Sequence, residues 1–167
     1  MNKQKLLESI KGGIKGELDS INLYSQALKH AEGSAVKEFL ENRIKEEQQH
    51  YNFLLNYYRE IEDDQKLSSI PTELQNKENE YSPIISDEFL NRIASQQILF
   101  STFSTAALLE KNSMDYYRKC AEEVDEPILQ EFYKKLVDWE ATHYEDVIDI
   151  QKQAEKAYWQ MNRFEPF

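Results

Sequence analysis

"EEQQHYNFL", residues 46–54, and "WEATHYEDV", residues 139–147, decide how this chain is read. Each holds Glu, two residues, His and then Tyr. They lie 93 residues apart in a chain of 167, and they use two of its three histidines. At that offset Glu17 maps onto Glu110, Ser20 onto Ser113 and Tyr24 onto Tyr117. Glu38-Phe39 maps onto Glu131-Phe132, and Glu47, His50 and Tyr51 map onto Glu140, His143 and Tyr144. The matches cluster on residues that carry chemistry, so the chain reads as two helical hairpins of common design.

The surrounding pattern is helical. Leu6, Leu7, Ile10, Ile14, Leu18, Ile21 and Leu28 recur at helical spacing over residues 3–31. "AEGSA" breaks that helix, with Gly33 past its end and Ser34 as the candidate N-cap of the next. The second helix runs from about Ala35 to Ile61. Residues 63–86 are polar, contain two prolines and lack a sustained period, which predicts a long connection with a turn of helix inside it. Ser86-Asp87 can cap a third helix reaching about Glu123, bent in "FSTFST". Pro127 suits the first turn of a fourth, ending near Tyr158, with a tail over 159–167. The expectation is all-α: one four-helix-bundle domain over 1–167, with antiparallel hairpins over about 3–62 and 87–158 joined by the 63–86 crossover.

Helix geometry brings the repeated residues together. Glu17 precedes Gly33 by 16 residues and Glu47 follows it by 14. At 1.5 Å per residue those spans are roughly 24 and 21 Å, so the carboxylates share a level in an antiparallel pair. Glu110 and Glu140 flank Pro127 in the same way. Residues i and i+3 share a helix face, so each Glu-x-x-His presents a carboxylate and an imidazole side by side. Facing hairpins then gather four Glu and two His around one point. Converging buried carboxylates repel one another and lose hydration, so they demand protons or cations. Two divalent ions balance four carboxylates, and mixed oxygen and imidazole ligation suits iron or manganese.

Composition bounds the alternatives. The net charge is −11, from 31 acidic and 20 basic residues. That argues against nucleic acid and anionic membrane as partners. The one cysteine, Cys120, excludes a four-cysteine iron or zinc module within this sequence and reads as a small core residue. Neither an apolar signal region nor a membrane-length apolar stretch is present, so the expected location is the cytoplasm. His30 reads as a surface residue, Tyr51 and Tyr144 as packing residues, and Trp139 as facing away from Glu140.

Glu17, Glu47-x-x-His50, Glu110 and Glu140-x-x-His143 resemble the ligand set of the ferritin-like di-iron carboxylate bundles. Within that superfamily "ELDSINLYSQAL", "EKNSMDYYRKCAEE" and the "EFY" before the second Glu-x-x-His resemble rubrerythrin-type proteins. The resemblance covers about residues 5–155. It implies two iron ions, with manganese as the other candidate. Glu17 and Glu110 would be terminal ligands, Glu47 and Glu140 would bridge, and His50 and His143 would complete one ion each. It also implies reduction of hydrogen peroxide with electrons from an external donor protein, in a homodimer. A ferroxidase or iron-handling protein using oxygen is the alternative enzyme, and a helical module with a silent metal site is the third reading. The repeat also permits a dimer whose hairpins exchange between chains.

Two departures stand out. Rubrerythrins usually carry a four-cysteine rubredoxin module, and this sequence has one cysteine. Their extra Glu one turn after the third-helix ligand is Ser113 here, mirrored by Ser20. These serines are candidates to line a substrate pocket. Tyr24 and Tyr117 are either core aromatics or hydrogen-bond donors to a bridging carboxylate.

Overall fold

The computed structural model describes residues 2–76 and 80–163. The described residues form six helices and no strand: α1 (Lys3–His30), α2 (Ser34–Glu62), α3 (Thr72–Gln75), α4 (Asp87–Ser95), α5 (Gln97–Glu123) and α6 (Pro127–Met161). Helices α1 and α2 form one hairpin, α5 and α6 the other, and α1 packs on α5. The single-turn α3 lies in the crossover, as the sequence predicted. Residues 77–79 of the crossover and 164–167 of the expected tail fall outside the described residues.

Local chemistry sets the boundaries. The Asn2 side chain caps α1 by accepting from the Lys5 amide at 2.9 Å, and Ser86 caps α4 by accepting from the Phe89 amide at 3.1 Å. Pro127 opens α6, where its missing N–H costs no helical hydrogen bond. Helix α6 runs to Met161, three residues beyond the expected end near Tyr158.

Two expectations are corrected. Ser34 is the first helical residue and not the cap. Gly33 holds the cap position at φ +87°, a left-handed backbone that glycine adopts without strain. Helix α1 ends at His30 with Ala31 as its cap, so Gly33 lies past its end as expected. The bend before Glu123 is at Gln96, whose extended backbone separates α4 from α5, and not in "FSTFST". That stretch stays helical, and its hydroxyls bond back to helix carbonyls. Thr102 donates to the Ile98 carbonyl at 2.7 Å and Thr105 to the Ser101 carbonyl at 3.1 Å.

The core comes in two apolar parts with a polar layer between them. One part gathers Tyr24, Phe39, Leu40, Phe89, Phe103, Val147 and Ile150. The other gathers Ile10, Leu54, Tyr57, Tyr117, Phe132, Tyr133 and Leu136. Between them lie Glu17, Glu47, His50, Glu110, Glu140 and His143, each at most 2% exposed. The buried face of α1 is Ile10, Gly13, Glu17, Ser20, Tyr24 and Ala27, while Leu18 is 40% exposed. The apolar stripe read from the sequence therefore leaves the core face in mid-helix, where Glu17 and Ser20 take the inward positions. Cys120 is buried, as expected, and burial pushes its thiol up to about 11.

Candidate metal centre

Four helices each bring one carboxylate to the layer, and α2 and α6 add the imidazoles. The side chains form two overlapping groups. Glu17, Glu47, Glu140 and His50 make one, and Glu47, Glu110, Glu140 and His143 make the other. Within each group one candidate ligand atom per residue lies within 4.8 Å of all the others. Glu47 and Glu140 belong to both groups, and Glu17 and Glu110 to one each. All six residues named from the repeat are thus brought together.

The imidazoles cross between hairpins. His50 Nδ1 lies 3.0 Å from Glu140 Oε1, and His143 Nδ1 lies 2.8 Å from Glu47 Oε1. The two rings stack at 5.7 Å with 20° between their planes. Yet both Nδ1 atoms, both oxygens of Glu47 and of Glu140, Glu17 Oε2 and Glu110 Oε2 are buried without a hydrogen bond. Buried polar atoms are rarely left so. Donor atoms that converge closely and do not pair with one another suit cations held between them, so the residues present fit a two-ion site.

Charge in this layer is costly, and the groups respond. Burial, then the charge of Glu47, pushes the Glu17 carboxyl up to about 8. Burial and the neighbouring Glu47 and Glu17 hold Glu140 well above the usual carboxylate range. Burial also disfavours a charged Glu47, but His143 outweighs it and holds Glu47 well below that range. Both imidazoles lose hydration, which favours their neutral forms, yet the surrounding carboxylates win and raise them well above the ordinary histidine value. Without cations, protons do the neutralising.

Two tyrosines complete the layer from α1 and α5. The Tyr24 hydroxyl donates to Glu110 Oε1, and the Tyr117 hydroxyl donates to Glu17 Oε1. Of the two roles the sequence left open, the donor role is observed, with a correction. The acceptors are the unshared Glu110 and Glu17, because each phenol faces the opposite long helix at its own level. Burial, then the adjacent carboxylate, holds both phenols well above the ordinary tyrosine value, so they remain donors.

The serines differ from each other. Ser113 lines a cavity of about 200 Å³ between α1 and α5, together with Gly13, Gly16 and Tyr117. Ser20 is buried and lines none of the cavities described. Tyr144 packs on the core, Tyr51 is half-buried, and His30 is exposed, all in keeping with the sequence.

Trp139, expected to face away from Glu140, packs beside the layer. It is 6% exposed and stands edge-on to His50 at 5.8 Å and to His143 at 6.3 Å. Sequence reasoning also missed an ion network behind His143. Glu46 Oε2 lies 3.2 Å from His143 Nε2, an ion-pair distance at which that nitrogen makes no strict hydrogen bond. Fully buried Arg43 donates to Glu46 Oε2 at 3.0 Å and to Asp146 Oδ2 at 2.9 Å. Burial pushes the Glu46 carboxyl up, but His143 and Arg43 outweigh it and hold it below its usual value. An adjacent Glu-Glu pair, one member facing the ligands and one behind a histidine, was the available signal.

The family model described as Rubrerythrin matches residues 8–150, which include every residue of this layer. No curated protein and no solved structure matches the chain. With its buried carboxylate and histidine cluster and its matched span, the chain belongs to the rubrerythrin family of ferritin-like di-iron carboxylate proteins.

Proposed function

We propose that this protein binds two iron ions in the Glu17, Glu47, His50, Glu110, Glu140 and His143 layer and reduces hydrogen peroxide with electrons from a separate donor protein. The observation that carries this reading is the sharing of Glu47 and Glu140 by both ligand groups, which suits a coupled pair of ions. Peroxide takes two electrons and two protons and becomes two waters. A bound ferrous pair supplies the two electrons and charge stabilisation for the oxygens.

The chain's own residues set the conditions. Glu47 and Glu140 would be held in common by both ions, and His50 and His143 would each serve one. Tyr117 and Tyr24 fix Glu17 and Glu110 from behind and keep their protons. The flanking apolar layers exclude bulk water, and the described cavities beside the layer, about 200 and 270 Å³, suit a small oxidant. These 167 residues hold one cysteine, so a four-cysteine rubredoxin-type donor lies outside them. Manganese is the other metal this donor set suits. A homodimer in the cytoplasm completes the reading. Among the described residues, no helix is long and apolar enough to cross a membrane.

Stopped-flow mixing of anaerobic Fe(II)-loaded protein with peroxide, and separately with oxygen, tests the proposal. Faster oxidation by peroxide than by oxygen is expected in the near-ultraviolet absorption of the oxidised centre. A preference for oxygen replaces peroxide reduction with ferroxidase or oxygenase chemistry. No reaction with either oxidant leaves a site that is silent or built for another metal.

A further inference from the structure

The repeat that builds the metal layer breaks behind the two histidines. Around His143 stand Arg43, Glu46 and Asp146, joined by contacts of 2.9 to 3.2 Å. At the 93-residue offset these three correspond to Leu136, Trp139 and Phe53. Every charged member of the network behind His143 thus has an apolar counterpart on the His50 side. Leu136 is fully buried, Trp139 lies edge-on to His50, and Phe53 packs on the neighbouring apolar core.

The two sides differ in access as well. His50, Phe53 and Trp139 line a cavity of about 270 Å³, which Lys45, Glu46 and Tyr81 help to close. His143 is fully buried and lines none of the described cavities. Among the described residues, no side chain accepts a hydrogen bond from His50 Nε2. A carboxylate behind a ligating imidazole orients the ring and raises the basicity of the nitrogen facing the metal. Apart from the shared Glu47 and Glu140, three carboxylates (Glu110, Glu46 and Asp146) against one guanidinium surround the His143 position. Among the described residues, Glu17 is the one unshared carboxylate grouped with His50.

We infer that the two metal positions are unequal by construction. The His143 position is the tight one, held by Glu46 as a positioning residue, and the His50 position is the exchangeable one, opening onto the cavity behind Trp139. This inference rests on the two-metal reading and adds an order of filling and a route of exchange. Arg43 holds Glu46 aimed at His143, and Asp146 anchors the other end of the guanidinium to the helix that carries His143.

Equilibrium titration of metal-free protein with cobalt(II), followed by its visible absorption, tests it without turnover. Two resolved steps are expected for the native chain. Glu46→Gln, which keeps the side-chain shape, should weaken the tighter step by about 10–100-fold, alter the spectrum of the first equivalent and leave the second step in place. Glu46→Asp should restore part of the tighter step. Trp139→Phe should speed the loss of one cobalt equivalent to a chelator and leave the other unchanged. Helical circular dichroism and the melting midpoint of the metal-free variants separate these effects from misfolding. Two equal steps in the native chain overturn the inference, and so does equal weakening of both steps, or of neither, in folded Glu46→Gln. Either result leaves the two-metal reading standing. Failure of the native chain to bind a pair of cobalt ions overturns both.

Discussion

At the scale of single residues, one carboxylate can serve two ions only if it lies between both sets of ligands. Glu47 and Glu140 do so, and Glu17 and Glu110 do not. Glu47→Ala or Glu140→Ala should therefore abolish binding of the pair, as read by metal content per chain after dialysis, and retention of two ions by either variant would sink the assignment. Tyr24 and Tyr117 act one step back. Each phenol removes one rotational choice from an unshared carboxylate, so Tyr24→Phe or Tyr117→Phe should weaken metal binding by about 10–100-fold without preventing it. A competition titration against a coloured chelator measures this. An unchanged affinity would return both tyrosines to the role of core aromatics. His30, the one histidine outside the layer, is a useful contrast because its exposure makes it dispensable.

At the scale of elements, the contact of α1 with α5 depends on side chains that are absent. A Cβ at Gly13 would lie 2.9 Å from the Tyr117 ring and 3.2 Å from Leu54. Tyr117 cannot swing aside without losing its hydrogen bond to Glu17. Overpacking at such a site costs about 1–3 kcal/mol. The better helix propensity of Ala returns up to about 1 kcal/mol of that. Gly13→Ala should thus lower stability by roughly 1–2 kcal/mol in urea unfolding, and it should also weaken metal binding by moving Tyr117. Stability equal to the native protein's would show that the helices have room to separate. The opposite side of the bundle is built differently. There α2 and α6 are bridged by long side chains, Arg43 to Asp146 and Glu46 to His143, and the cavity beside His50 lies between them.

At the scale of the whole molecule, the polar layer sets how stability depends on pH. In metal-free protein, Glu17 is raised to about 8, and Glu140, His50 and His143 are raised well above their ordinary values. A group raised on folding lends stability below its unfolded value and loses it as pH climbs through its folded value. For Glu17 that window runs from about 4.5 to about 8. Glu47 and Glu46, held low, lend stability that changes only below about 4.5, so they leave the trend between pH 5.5 and 8 unaltered. The metal-free protein should melt at a lower temperature at pH 8 than at pH 5.5. Cobalt(II) or manganese(II) should raise the melting temperature more at pH 8, because binding displaces protons that are already leaving. A metal-induced shift that shrinks with rising pH would refute this account.

The sequence alone determined the helical hairpins, the crossover and the six residues of the layer. The reason is local: helical pitch alone places Glu and His three residues apart on one face, and the repeat with its turn positions sets Glu17 against Glu47 and Glu110 against Glu140. Other features were decided only when the helices packed. Tyr24 and Tyr117 reach the unshared carboxylates because α1 and α5 lie side by side, a fact that no spacing within either helix contains. Arg43, Glu46 and Asp146 look like ordinary charges on helix surfaces until α2 and α6 face each other, burying Arg43 and Glu46 and half-burying Asp146. Trp139 turned inward for the same reason, since the space opposite His50 had no charged partner to fill it. A carboxylate behind one histidine and an indole beside the other is a tertiary distinction, made between helices by residues whose own neighbours in sequence do not reveal it.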